Sequence, residues 1–225
     1  KGWFSPVYPT PSKISPIIDP SGYVYEAVES NRIECVTTTI FEKVIKVDIY
    51  GNENEFSEIW DAELYGQKNP LTTDNTGWYA WDVPEGLWQV KYEKQNYETT
   101  YSEWLPVPPP QLDVNIPIVS YVNPEIKRVT CYESRVEIEF NKYMSVQKIA
   151  SIDDYIKILL NNNIIIGNIE FANSENDPNK INVNYASLIY FIPTNEFQVG
   201  NEVNVFIKKD VTSYSGISMI DDYNN

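Results

Sequence analysis

The 225-residue chain is 42% hydrophobic and 14% aromatic, so it has enough apolar side chains to build a folded core. Its 17 basic residues stand against 32 acidic ones, and the net charge of -15 argues against a nucleic-acid or anionic-lipid partner because like charges repel. The sequence has no histidine, and it therefore lacks the usual general base of a catalytic triad and the commonest metal ligand. Composition thus favours a folded protein that needs no cofactor or metal, and of the common catalytic arrangements it leaves open only one built from carboxylates.

Length and proline content predict the domain organisation. A β-sandwich domain takes roughly 100 residues, so this chain is long enough for two. Residues 1–16 are rich in proline and favour an extended linker or edge segment. The amino-acid composition shifts toward isoleucine and asparagine near residue 121. This shift predicts a boundary between a first domain at 17–120 and a second at 121–225.

In the first domain, apolar and polar residues alternate with the period of two that is typical of strands. Residues Gly51 and Asn52 supply a turn and predict a hairpin. Trp81 shares the inward face of its strand with Tyr79 and Val83, which leaves Trp78 on the outer surface. The predicted strands are 22–28, 36–41, 44–50, 78–83, 87–92 and 113–120.

In the second domain, Val136, Ile138 and Phe140 alternate with acidic residues and predict a half-buried antiparallel strand. A helical turn is expected over 151–155, because Ser151 is a suitable N-cap and two aspartates follow it. Further short strands are predicted over 156–160, 164–171, 188–192 and 203–207.

The stretch TTDNTGWYAWDVPEGLWQVKYEKQNYET at 72–99, preceded by Gly22-Tyr23-Val24, resembles the carboxypeptidase regulatory-like domain. The residues that carry the resemblance form a Thr-Asp-x-x-Gly turn, a Val-Pro-x-Gly turn and a final pair in which Asn96 replaces the usual glycine: Thr73, Asp74, Gly77, Val83, Pro84, Gly86, Asn96 and Tyr97. The resemblance implies a prealbumin-like or Ig-like sandwich over 17–120.

Residues 121–225 resemble the S-layer-type bacterial Ig-like domain through VEIEFNKYM at 136–144 and GISM at 216–219. Together the two resemblances imply an all-β chain of two tandem antiparallel sandwiches. Modules of these families serve as spacers or display elements in secreted bacterial surface proteins, adhesins and glycan-processing enzymes. We therefore expect an extracellular, cell-surface fragment of a longer precursor whose targeting signals lie outside it.

Several side chains are candidates for a binding or catalytic site. Trp78 is the candidate for stacking on a carbohydrate ring, although aromatic residues in sandwiches more often serve packing. The turns at 74–76 and 175–177 offer oxygen ligands but lack the spaced acidic motif of a calcium loop, so solvated turns are expected. The carboxylates of Glu137 and Glu139 share one strand face at a spacing that suits glycoside hydrolysis, but the solvent-facing side of a strand has the same pattern and a short sandwich implies no cleft, so no catalytic role is expected.

The sequence predicts neither of two kinds of covalent cross-link, a disulfide or an isopeptide bond. Cys35 and Cys131 lie in different predicted domains and are expected to be separate thiols that behave as small apolar strand residues. No lysine lies in the 22–28 strand, so no isopeptide bond to that strand is predicted.

The sequence thus predicts a non-catalytic spacer and interaction module whose partners are neighbouring domains of the same polypeptide and a host or cell-wall glycan or protein. The alternative is an ancillary carbohydrate-binding or regulatory module of a large secreted glycan-processing enzyme. No run of about 18 apolar residues is present, so this fragment is not expected to insert into a membrane.

Overall fold

The computed structural model describes residues 19–150 and 155–225, and their regular structure is almost entirely β. The strands of the part that ends before residue 121 are β1 (Ser21–Glu26), β2 (Val28–Arg32), β3 (Thr37–Val47), β4 (Glu53–Ile59), β5 (Leu71–Thr72), β6 (Trp78–Ala80), β7 (Gly86–Glu93), β8 (Thr100–Tyr101), β9 (Leu105–Val107) and β10 (Ile116–Pro117). A 3-10 turn, Ala62–Tyr65, separates β4 from β5.

The remaining strands follow residue 121. They are β11 (Ile126–Cys131), β12 (Val136–Ser145), β13 (Ile156–Leu160), β14 (Asn163–Ile164), β15 (Gly167–Phe171), β16 (Glu175–Asn176), β17 (Asn184–Pro193), β18 (Val203–Ile207) and β19 (Tyr223–Asn224). One helical turn, α1 (Val146–Ile149), follows β12. The all-β prediction is confirmed for the described residues.

The strands form four sheets, two from each part of the chain. The first two sheets have the orders β10-β1-β2, with β6 also on β1, and β4-β3-β7-β8, with β5 on β3 and β9 on β7. The other two have the orders β11-β12-β17-β15, with β16 also on β17, and β14-β13-β18-β19. The pairings between these strands are antiparallel with one exception: β1 and β10 run parallel, with Val24 opposite Ile116. A long connection separates those two strands, so no hairpin fixes their direction.

Apolar side chains from these sheets gather into two large clusters that divide along the sequence. The first includes Trp81 and Trp88 and draws its buried members from 24–118, whereas the second draws them from 136–219. Burial alternates along the strands as predicted, since Trp88, Val90 and Tyr92 on β7 are fully buried while the residues between them are partly exposed. Several antiparallel sheets around such clusters are consistent with β-sandwich packing.

Five strand predictions needed correction. The predicted strand 22–28 divides after Glu26, where β2 folds back antiparallel on β1, and the predicted strand 78–83 is reduced to Trp78–Ala80. The segments 36–41 and 44–50 form one strand, β3, because the ladder to β4 continues through Glu42 and Lys43. The predicted strand 113–120 is reduced to Ile116–Pro117, and proline has no N–H with which to extend a ladder. The predicted strand 164–171 divides because the chain leaves β13 at β14 and joins β17 at β15. The Pro-rich segment 1–16 and most of the helical turn at 151–155 lie outside the described residues.

Candidate functional site

A buried polar cluster lies where residues 19–120 (the first half) meet residues 121–225 (the second half), a region we call the junction. Strand β1 ends there at Glu26, where its register with β2 shifts. The next residue, Ala27, has a φ of 67°, in the left-handed region that non-glycine residues seldom adopt. Such a bulge redirects the chain and its side chains. It places the Glu26 carboxylate at the junction, buried to 5% exposure.

The Glu26 carboxylate is satisfied from both halves. Lys142 Nζ, from β12 in the second half, donates to Glu26 Oε1 at 2.8 Å, and Tyr97 Oη donates to Oε2 at 2.7 Å. The side chains of Lys142 and Glu26 are only 11% and 6% exposed. Because taking two charges out of water costs several kcal/mol per ion, this pair persists only where geometry and additional hydrogen bonds compensate for that cost.

Ser120 and Tyr214 complete the polar part of the junction. Lys142 Nζ donates a second hydrogen bond to Ser120 Oγ at 2.9 Å. The backbone N–H of Ser120 donates to Tyr214 Oη at 2.8 Å. Burial, with the Glu26 carboxylate close by, raises the pKa of Tyr214 well above its usual value. Tyr214 therefore stays a neutral hydroxyl.

The pKa of Tyr97 is also raised, chiefly by burial and then by its hydrogen bond to Glu26. The hydroxyl thus remains protonated and able to donate. This matters because a carboxylate accepts hydrogen bonds only and therefore needs protonated donors around it. The tyrosine and the lysine together supply one donor to each carboxylate oxygen.

An apolar cluster lies beside the ion pair. Ala27 and Val28 of the first half are buried with Tyr185 of the second half, and Tyr143, Val183 and Tyr214 pack against them. Peripheral hydrogen bonds also cross the junction: Asn179 Nδ2 donates to Tyr25 Oη at 2.9 Å and Ser30 Oγ to Glu175 Oε1 at 2.6 Å. The junction therefore combines a buried ion pair with apolar packing, and its chemistry suits holding two bodies together.

Sequence reasoning missed Glu26 and Lys142. A signal was nevertheless present, because Glu26 follows Val24 by two positions in an alternating segment, and Val24 is fully buried. An acid at an inward-facing position needs a partner. The sequence does not reveal that this partner comes from 116 residues further along the chain.

Trp78, the predicted stacking residue, lies at the surface in β6 and is 45% exposed. It pairs across strands with Tyr23, so the two rings lie on the same face of their sheet. The guanidinium of Arg32 stacks on the Tyr23 ring, and Tyr23 Oη donates to Glu29 Oε1 at 2.9 Å. These residues form a small aromatic surface with donors and acceptors at its edge.

The turn before Trp78 is fixed by two residues of the Thr-Asp-x-x-Gly motif. Asp74 Oδ1 accepts hydrogen bonds from the backbone N–H and hydroxyl of Thr76, and these bonds lower the pKa of Asp74. Gly77 has a φ of +70°, and a Cβ there would lie 2.5 Å from the carbonyl oxygen of Val24. Only glycine satisfies both constraints.

The remaining candidates have ordinary structural roles. Glu137 pairs with Arg135 at 2.7 Å, and Glu139 pairs with Lys127 at 2.7 Å and with Arg128. In the 175–177 turn, Asp177 Oδ2 accepts from Tyr185 Oη at 2.9 Å. Among residues 19–150 and 155–225, no three His, Cys, Asp or Glu side chains gather into a metal-binding group.

The expectation for the two cysteines was wrong in one respect. Both are free thiols, but both are exposed rather than packed as small apolar residues. Cys35 has a φ of 57° and lies in a turn between β2 and β3, while Cys131 ends β11. Turn geometry and a strand end keep both side chains near solvent.

Comparisons with known proteins add no relative: no family model matches the chain, and no curated protein matches it either. Within the part of the chain that the structure describes, no helix has the length and apolar character needed to cross a bilayer. The junction and the surface around Trp78 are therefore the candidate functional sites among the described residues.

Proposed function

We propose that this chain is a non-catalytic pair of Ig-like or prealbumin-like β-sandwich modules, 17–120 and 121–225, that acts as a stiff spacer and interaction unit of a secreted bacterial cell-surface protein. The first module resembles the carboxypeptidase regulatory-like domain and the second the S-layer-type Ig-like domain. Two separate hydrophobic clusters, one from each part of the sequence, support this division.

The observation that carries the proposal is the buried Glu26–Lys142 pair. A flexible link between independent domains needs no desolvated ion pair, and interfaces between mobile domains are usually polar and wet. A buried pair with hydrogen bonds to both oxygens favours one fixed arrangement, because any rotation of one module leaves a charge without its partner. A spacer that projects a neighbouring domain at a fixed angle requires this property.

The experiment uses the chain's own cysteines. Cys35 and Cys131 are exposed and free, and one lies in each half of the chain, so nitroxide labels on both report the distance between modules by double electron–electron resonance. We expect a single narrow distance distribution for the wild type and a broad one for Lys142→Met. Lys127→Met, which removes a surface lysine with a 63% exposed side chain, is the matched control and should leave the distribution narrow.

A broad distribution in the wild-type protein would overturn the stiff-spacer proposal. The proposal that the chain is non-catalytic has its own test. The purified chain should not hydrolyse any substrate in a panel of polysaccharides and peptides, and hydrolytic activity that co-purifies with the protein would contradict the proposal.

A second candidate, an ancillary carbohydrate-binding module, is favoured by one observation. Trp78 is 45% exposed beside Tyr23, and the pair offers aromatic faces with Arg32 and Glu29 at the rim. Exposed aromatic rings next to hydrogen-bonding groups suit an amphipathic ligand such as a sugar.

A further inference from the structure

Strand β4 is an open sheet edge. It pairs with β3 over its whole length, and among the described residues it pairs with no other strand. Each of its seven residues is exposed. An uncovered edge of this length presents a row of unpaired N–H and C=O groups on which another strand can pair.

The alternation of hydrogen-bonded and non-hydrogen-bonded pairs in the β3–β4 ladder identifies which backbone groups of β4 do not bond to β3. Trp60 N–H donates to Ile40 O at one end of the β3–β4 ladder, and Asp48 N–H donates to Asn52 O at the other. Because antiparallel residues alternate between hydrogen-bonded and non-hydrogen-bonded pairs, Asn54, Phe56 and Glu58 bond to β3. Their neighbours Glu53, Glu55, Ser57 and Ile59 therefore point their N–H and C=O groups away from the sheet.

The side chains of β4 show what kind of strand fits. The side chains of Glu53 and Glu55 lie on one face of β4, and that of Phe56, 46% exposed, lies on the other, while the free backbone groups point outward in the plane of the sheet. Lys43 pairs with Glu55 and Lys46 pairs with Glu58, so Glu53 is the glutamate of β4 for which the described residues show no ion pair. The ribbon from Glu42 to Ile59 holds five carboxylates and two lysines, a net charge of -3. The net negative charge and the exposed Phe56 favour a complementary strand whose basic residues lie next to Glu53 and whose apolar residues lie on the other face, next to Phe56.

A second copy of this chain fits poorly. Its own β4 would bring further glutamates to the same edge, and each copy carries a net charge of -15. Like charges on opposing strands are destabilising. The negative charge of the ribbon therefore favours a basic segment of another protein over a second copy of this chain.

We infer that β4 is a docking edge for an extended segment of another protein in which Lys or Arg alternates with apolar residues, bound by strand addition to the β4-β3-β7-β8 sheet. Main-chain hydrogen bonds from Glu53, Glu55 and Ser57 supply the pairing, and Glu53, in a ribbon of net charge -3, favours basic side chains. This inference rests on the proposed role as an interaction unit and specifies its partner.

The test uses a fluorescent synthetic peptide of alternating lysine and valine, with a glutamate–valine peptide as the charge-reversed probe, in fluorescence-polarisation titrations. Ser57→Pro removes an outward N–H without removing a bond to β3, and Ser57→Ala is its matched control. We expect the lysine peptide to bind the wild type and Ser57→Ala equally, and to bind Ser57→Pro at least about tenfold more weakly. The glutamate peptide should not bind.

Equal binding of the lysine peptide to Ser57→Pro would show attraction to the acidic surface in general and would overturn the inference, as would no binding at all. If the wild type sediments as a dimer and Ser57→Pro sediments as a monomer, the β4 edge binds a second copy of the chain, and this result would also overturn the inference. Because proline can unsettle the ribbon, Glu53→Lys with Glu55→Lys provides a second test and should invert the preference between the two peptides. Narrow inter-label distances with no peptide binding would reject this inference while leaving the spacer proposal intact.

Discussion

The Nζ of Lys142 and the Oε1 of Glu26 lie 2.8 Å apart although 116 residues separate them in the chain. Both side chains are almost fully buried, and each carboxylate oxygen has its own donor. Lys142 holds a further hydrogen bond to Ser120, which lies at the end of the first half. One lysine in β12 therefore contacts both the first strand and the last residues of that half.

Removing one partner of this pair leaves an uncompensated buried charge. We expect Lys142→Met to lower the free energy of unfolding by about 3–5 kcal/mol in urea denaturation. The double variant Glu26→Leu with Lys142→Met should recover much of that loss, because the remaining charge is gone. A single variant that costs less than about 1 kcal/mol, the range of an exposed pair, would show that the pair is hydrated in solution.

Tyr214 supplies the acceptor for the buried Ser120 N–H. In Tyr214→Phe this N–H has no acceptor, and we expect a loss of about 1–3 kcal/mol in thermal or urea unfolding. Tyr50→Phe, at a side chain that is 84% exposed, is the control and should be neutral. Equal effects of the two changes would contradict the hydrogen bond.

Stability should fall in acid through Asp177. Burial alone would raise the pKa of this carboxyl, but hydrogen bonds from Asn179 N–H, Tyr185 and Lys180 outweigh burial and lower it. A lowered folded-state pKa contributes stability that is present above the unfolded value of about 3.9 and is lost as the pH falls through the folded value. Urea midpoints of wild type and Asp177→Asn should therefore differ at pH 7 and converge near pH 2.

Asp19 is a control in which the pKa shift has the opposite direction to that of Asp177, because burial raises the pKa of Asp19. That shift favours the folded state as the pH falls, so Asp19→Asn should make the acid loss of stability steeper than in the wild type. A shallower acid loss in Asp19→Asn, or a constant gap between Asp177→Asn and wild type at all pH values, would refute these assignments.

The glycine of the Thr-Asp-x-x-Gly turn should tolerate no side chain. Gly77→Ala forces an alanine into the left-handed region, which costs about 1–2 kcal/mol of folding stability. Its Cβ would also contact the Val24 carbonyl oxygen, which costs about 1–3 kcal/mol more. Gly51→Ala has the same backbone strain, with a φ of +84°, but open space around the Cβ. Denaturation should show the larger loss for Gly77→Ala, and similar losses would remove the close contact from the explanation.

Trp78 tests the carbohydrate alternative. If it stacks on a sugar, a glycan array should show binding by the wild type that Trp78→Ala abolishes, because the ring supplies the contact face. Trp78→Phe should keep part of the binding, and Tyr101→Ala, at another exposed aromatic residue, should keep all of it. Wild-type silence across the array would exclude this function.

The alternation of residues by itself determined the all-β class and the inward faces of the main strands. Trp88, Val90 and Tyr92 are buried on β7, and Val136, Ile138 and Phe140 on β12, because side chains of a strand point alternately to its two faces. The position of Trp78 at the surface followed from the same rule. Local turn chemistry likewise predicted the hairpin between β3 and β4 and the turn that ends at Gly77.

Tertiary structure decided what alternation cannot encode. The partner of Glu26 depends on where the second half packs, and that follows from contacts between residues far apart in the chain. The crossing of 164–171 between two sheets and the parallel pairing of β1 with β10 have the same origin. A period of two specifies which side chains are buried, but only the folded chain specifies what they are buried against.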